Sequence, residues 1–197
     1  MKITKVVLTL IFFSVYSHGA ENVPQVSEYQ VKTYNGPFEK KLKITHEFLN
    51  HSNKWKQLMQ KELQKEVNFS GHYRVYLSRN GEFPKECGDR AWVCGWIIDK
   101  LTGEIISQLP SFNNNTKYYA TINNGTRSPD LFSTEFYARS NLMWISGQNH
   151  PEHGKFGLHE HCANVAYEFK ENKFTKLFSG LCERDVGEDQ EAEHFLP

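Results

Sequence analysis

Apolar positions along this chain change period once, sharply, and the change divides it. Between residues 53 and 66, Trp55, Leu58, Met59 and Leu63 recur at i, i+3, i+4 and i+8, with Lys54, Lys56, Lys61 and Lys65 largely around the other face. That spacing predicts an amphipathic helix, capped by Ser52 or Asn53, whose tryptophan stripe packs on a sheet. The lysine face reads as solvated, with a partner surface as the alternative. Beyond it, Tyr73 to Leu77 reads as a strand, Ser78 to Glu86 as a loop, and Ala91 to Asp99 as a strong, largely buried strand. Asp99-Lys-Leu-Thr-Gly103 then forms a hairpin turn into Glu104 to Gln108.

Downstream the pattern stays short-strand. Tyr118 to Ile122, Glu135 to Ala138 and Asn141 to Ser146 read as strands separated by Asn- and Gly-rich connections, and Ala163 to Lys170 with Phe174 to Gly180 make the clearest hairpin, turning at Glu171-Asn172. Upstream of the helix, residues 21–37 read as an extended lead-in with at most one strand, Glu28 to Thr33. Phe38 to Leu49 fits a short helix or a strand equally. The fold class is therefore α+β, mainly an antiparallel β meander of hairpins with one packed amphipathic helix near the N-terminus. The hairpins at Gly95 to Ile106 and Val165 to Leu177 share a pattern; we read it as convergent hairpin grammar rather than a repeat.

Composition refines this. With 197 residues, 39% of them hydrophobic, the chain can bury a core of its own as one domain. The first twenty residues stand apart: Lys2 and Lys5 precede an apolar run from Val6 to Val15, then Tyr-Ser-His-Gly-Ala. This is the form of a secretory signal peptide over residues 1–20, with the mature chain starting at Ala20 or Glu21. A β-rich domain over 21–182 and an acidic, flexible tail over 183–197 complete the expected organisation. Without Lys2 and Lys5, 21 of the 23 basic residues remain against 23 acidic ones. That balance argues against nucleic-acid binding. No later apolar stretch is long enough for a membrane span.

All four cysteines, Cys87, Cys94, Cys162 and Cys182, lie in the exported part, and an even count in an oxidising compartment reads as two disulfides. Of three connectivities, the local one (Cys87–Cys94, Cys162–Cys182) is expected, because each pair brackets a short turn-containing segment. Loop entropy assigns the two closures about 2.5 and about 3.3 kcal/mol. Neither pair has the Cys-x-x-Cys spacing of a redox site.

The hexapeptide Asn68-Phe69-Ser70-Gly71-His72-Tyr73 after the helix, Cys87-Gly88, Ile98-Asp99 with Thr102-Gly103, and Cys162 before Tyr167 and Phe169 resemble a group of small secreted bacterial proteins. Those proteins carry an Asn-Phe-Ala-Gly-His-Tyr motif. Here Ser70 replaces the alanine, and Cys94 lies farther from Cys87-Gly88 than the pattern has it. The resemblance implies an exported, β-rich bacterial protein and transfers no catalytic residue.

The densest chemical cluster is His150, His153, His159 and His161 with Glu152 and Glu160. Imidazoles at this density suit zinc, copper or nickel, and His159 and His161 share a face if the segment is extended. An exposed Gly-rich loop is the plainer reading, and no cofactor is the default expectation. His72 has the chemistry of a general base. No matching nucleophile pattern accompanies it, so a histidine hydrogen-bonded between helix and sheet is the structural expectation. Asp99 reads as a turn residue, and the tryptophans as core or, alternatively, a sugar-stacking face. Export, disulfides, polar loops and an acidic tail together point to a periplasmic binding protein, such as an inhibitor or immunity protein facing a toxin or hydrolase, in a Gram-negative bacterium. An envelope hydrolase or metal-binding protein using His72 or the His150–His161 loop is the alternative.

Overall fold

The computed structural model describes residues 23–79, 81–88, 92–112, 114–119, 132–148 and 162–181. Helix α1 (Asn53–Leu63) begins where Ser52 Oγ accepts the Trp55 amide at 3.2 Å, and the Glu86 carboxylate accepts the Ser52 amide at 2.7 Å. Both contacts satisfy or steady amides that a helix start leaves without partners. Trp55, Met59 and Leu63 are buried along the predicted stripe, joined by Glu62. The helix stops at Leu63, three residues short of the expected end, because the buried ammonium of Lys100 closes on the carbonyls of Leu63 and Lys65 (2.6 Å to the latter). A cation at the negative end of a helix is favoured, and here it fixes where the helix stops.

Three sheets follow. Strands β1 (Tyr73–Leu77), β3 (Gly95–Asp99) and β4 (Glu104–Gln108) form a three-stranded antiparallel sheet in the order β1-β3-β4. Between β1 and β3 lie a four-residue helix α2 (Pro84–Cys87) and β2 (Trp92–Val93), which pairs with β5 (Tyr118–Tyr119). The last four strands, β6 (Ser133–Phe136), β7 (Leu142–Gln148), β8 (Cys162–Lys170) and β9 (Lys173–Leu181), make a four-stranded antiparallel meander.

Strand alternation decides how these stack. Val75 and Ile97 share one apolar cluster with Met143, Ile145, Val165, Tyr167 and Phe169, while Trp96, Ile98 and Ile105 share another with Phe48, Trp55, Met59 and Leu63. The result is three layers: α1, the β1-β3-β4 sheet, and the β6–β9 sheet. β3 is buried at all five positions because both faces of its sheet are covered. The structure is thus β-rich and antiparallel with few helices, as expected.

Several boundaries differ from expectation for identifiable reasons. Glu28 to Thr33 is not a strand: a 3₁₀ turn occupies Val26–Glu28, and the following backbone docks on loops, with Val31 donating to Arg139 and Tyr34 to Gly71, both at 2.9 Å. Phe38 to Leu49 is neither helix nor strand but carries a single parallel bridge, Lys43 to Glu104, and a 3₁₀ turn that buries Phe48. The expected strand Ala91 to Asp99 is divided at Cys94, whose amide donates to Ser78 Oγ (3.0 Å) and whose carbonyl accepts the Ser78 amide (2.8 Å). There the chain leaves one sheet for another. The end of the expected Ser78 to Glu86 loop turns into α2, started by Pro84 at its first position. β6 begins two residues before the expected Glu135. The two hairpins that look alike in sequence use different turns: four residues, Lys100 to Gly103, against the two-residue Glu171-Asn172, where both φ angles are positive (51° and 61°). Residues 1–20, the histidine cluster, Cys182 and the acidic tail lie outside the described residues.

Candidate functional site

The hexapeptide motif is the first place to look, and each of its residues has a structural task. Asn68 lies beside β1 and pairs Val75 twice, its Oδ1 accepting the Val75 amide (2.7 Å) and its Nδ2 donating to the Val75 carbonyl (2.9 Å). A side-chain amide here does what a neighbouring strand would do. Phe69 is fully buried against Phe136, Phe169 and Phe174. Ser70 and Gly71 turn the chain with φ of 41° and 84°. At Gly71 a Cβ would stand 2.8 Å from the Lys32 carbonyl, so the turn needs both glycine's backbone freedom and its lack of a side chain. The Gly71 amide donates to Ala138 at 2.8 Å, locking the turn onto the loop before β7.

His72 does not bridge helix and sheet. Its Nε2 lies 3.6 Å from Asp99 Oδ1, beyond an ordinary hydrogen bond, and its ring packs on Tyr73. Burial lowers the imidazole below its usual value, and the Asp99 carboxylate opposes that shift. Asp99 is a turn residue, accepting the Leu101 amide at 2.8 Å. Tyr73 donates its hydroxyl to Asn172 Oδ1 at 2.8 Å, joining the motif to the β8–β9 turn. Gly103 (φ 77°) lets the lead-in pass close: a Cβ would sit 2.6 Å from the Lys41 carbonyl.

Cys87 and Cys94 form a disulfide, with Cα atoms 5.7 Å apart, packed among Phe83, Trp96 and Ile98. It ties α2 to the point where the chain switches sheets. A bond of this kind fits an oxidising compartment. The expected Cys162–Cys182 partner bond lies outside the described residues, as do His150, His153, His159 and His161. Among the described residues no group of three or more His, Cys, Asp or Glu side chains is placed to hold a metal. No described helix is long and apolar enough to cross a membrane.

Two buried charged groups carry no motif. Glu62 is buried and bound by Arg74 through Nε and Nη2 at 3.0 and 2.9 Å, joining α1 to β1. Lys100, its ammonium also 4.7 Å from the Phe38 ring centroid, joins the helix end to the β3–β4 turn. The helix-to-sheet tie expected of His72 is made by these two pairs. In sequence, Glu62 sits on the stripe side of α1 and is its only signal; Lys100 has none, because a lysine in a turn looks solvated.

The outward face of the β6–β9 sheet offers something different. Cross-strand rows there run Glu135–Trp144–Ala166–Phe178 and Ser133–Ser146–Asn164. The Trp144 and Phe178 rings approach to 5.6 Å over Ala166, which is fully buried beneath them. Beside the indole lies an open concavity of about 530 Å³ lined by Ser133, Thr134, Glu135, Trp144, Ser146 and Asn164. Glu135 accepts the Tyr137 hydroxyl at 2.6 Å and pairs with no cation among the described residues. Its volume falls in the range of small-ligand clefts, and its lining is polar apart from one indole. Family models, curated proteins and solved structures contain no match to this chain.

Proposed function

We propose that this chain is an exported binding protein of a bacterial periplasm, acting as an inhibitor or immunity protein toward a toxin or hydrolase there. The observation that supports it most is the division of labour between two surfaces. The motif, rich in reactive residue types, is committed to turns and packing, whereas the concavity beside Trp144 is open and holds a carboxylate that has no counter-cation among the described residues. The Cys87–Cys94 bond supports the oxidising compartment.

The test is functional as well as physical. Immobilised mature protein is exposed to periplasmic extract, and any retained toxin or hydrolase is assayed with and without added protein. Stoichiometric retention with loss of the partner's activity is expected; retention of nothing overturns the proposal.

A second reading, an envelope hydrolase using His72, draws on an imidazole whose proton affinity burial lowers, beside Asp99. Peptidoglycan degradation abolished by His72→Ala would establish it. Metal binding at the His150–His161 loop is checked by dialysing the protein and measuring bound zinc and copper, with His159→Ala and His161→Ala as controls.

A further inference from the structure

We infer that the concavity beside Trp144 is an anchor site for an arginine side chain presented by a protein partner. The inference rests on the binding-protein reading and adds the chemistry of recognition to it. Glu135 and Trp144 are direct cross-strand partners, which places their Cβ atoms about 5 Å apart on one face. A guanidinium can therefore lie on the indole while its N–H fork meets the carboxylate. Arginine suits both contacts: its plane stacks on aromatic rings, and its donors match a carboxylate in pairs.

The rest of the lining agrees in kind. The Tyr137 hydroxyl holds one Glu135 oxygen and so fixes the carboxylate's orientation without neutralising it. Asn164 contributes a carboxamide and Ser133 a hydroxyl, both able to accept the remaining guanidinium donors. Among the described residues no lysine, arginine or histidine lines the site, and Glu135 is its one charged group, which disfavours an anionic ligand. The basic residues nearest along this face of β8 and β9 are Lys170 and Lys173, in register at the far turn. Lys170 stands four residues from Ala166, about 13 Å along the strand. The indole is steadied from the opposite side by Phe178, so it is held in place before a ligand arrives.

The test uses the full mature chain and a glycine–serine peptide carrying one arginine, with a citrulline peptide as the neutral isostere, both followed by titration NMR. The arginine peptide should bind, and the citrulline peptide should bind about tenfold more weakly. Glu135→Gln, an exposed change, should reduce arginine binding to the citrulline level, and Trp144→Phe should weaken it about threefold. Added salt should weaken the arginine peptide and leave the citrulline peptide unchanged. Equal binding of the two peptides, or no effect of Glu135→Gln in a protein with unchanged thermal unfolding, overturns the assignment. The broader reading is separated by repeating the periplasmic capture with Glu135→Gln. A toxin or hydrolase retained and inhibited equally by both proteins removes the arginine anchor and leaves the binding protein. A positive peptide titration with no retained partner does the reverse.

Discussion

Trp96 and Trp144 stand near the middle of antiparallel strands, yet they have opposite surroundings. Trp96, in β3, is enclosed by Trp55, Tyr76 and Phe83 and is 1% exposed; Trp144, in β7, meets Phe178 on one side and an open concavity on the other. The difference arises from layering alone. The β1-β3-β4 sheet has α1 on one face and the second sheet on the other, so both its faces are core. Among the described residues the β6–β9 sheet has one such covering. Large apolar groups therefore stabilise the first sheet wherever they occur, whereas on the outer face of the second a tryptophan can be used for contact with something else.

Truncation separates the two most strongly. Trp96→Ala should cost about 3–5 kcal/mol, measured as a lower urea midpoint, whereas Trp144→Ala should cost no more than about 1–2 kcal/mol. Equal losses would mean that the outer face is core as well, and the comparison would fail. Next in size is the Cys87–Cys94 bond, which belongs to the Trp96 side. Replacing both cysteines by serine should cost about 2.5 kcal/mol, seen by calorimetry with and without reductant. Amide exchange should accelerate around α2, β2 and the start of β3, and much less in β7 and β8.

Asn68→Ala removes both bonds to Val75 at the edge of the same covered sheet, for an expected loss of about 2 kcal/mol and faster exchange of the Val75 amide. A smaller effect is the pH response. Burial lowers both His51, against Trp55, and His72 from the ordinary 6.5. Below that value the unfolded chain binds protons that the folded chain does not, so stability should fall as pH drops from neutral through this range and level off below the folded-state values. His51→Gln with His72→Gln should flatten the slope. Glu86, whose carboxyl burial alone would raise, is held below its usual range by its bonds to Ser52 and adds a separate loss at more acid pH.

The sequence made the local elements plain and left their arrangement open. The α1 stripe, β1, the β3–β4 hairpin and the β8–β9 turn all follow from period and turn chemistry, and the Cys87–Cys94 bond follows from short spacing. The break of the Ala91 to Asp99 run at Cys94 does not, because it depends on Ser78 meeting Cys94 across the fold. The same holds for the candidate site. Asn68, Gly71 and His72 announce themselves as a motif, but their tasks depend on Val75, Lys32 and Asp99. Trp144 and Glu135 are unremarkable in sequence, and only pairing of β6 with β7 places them together.

Lys100 gives the molecule a reporter of its own motion. Its amine is enclosed by the carbonyls at the end of α1 and by Phe38, and burial lowers its proton affinity. An acylating reagent will modify the exposed Lys40, Lys41 and Lys61 at once. Lys100 can react only as often as the helix end lets go, and once released and deprotonated it is a competent nucleophile. The rate at which this one lysine is labelled in native protein is thus a direct count of how often α1 parts from the sheet beneath it.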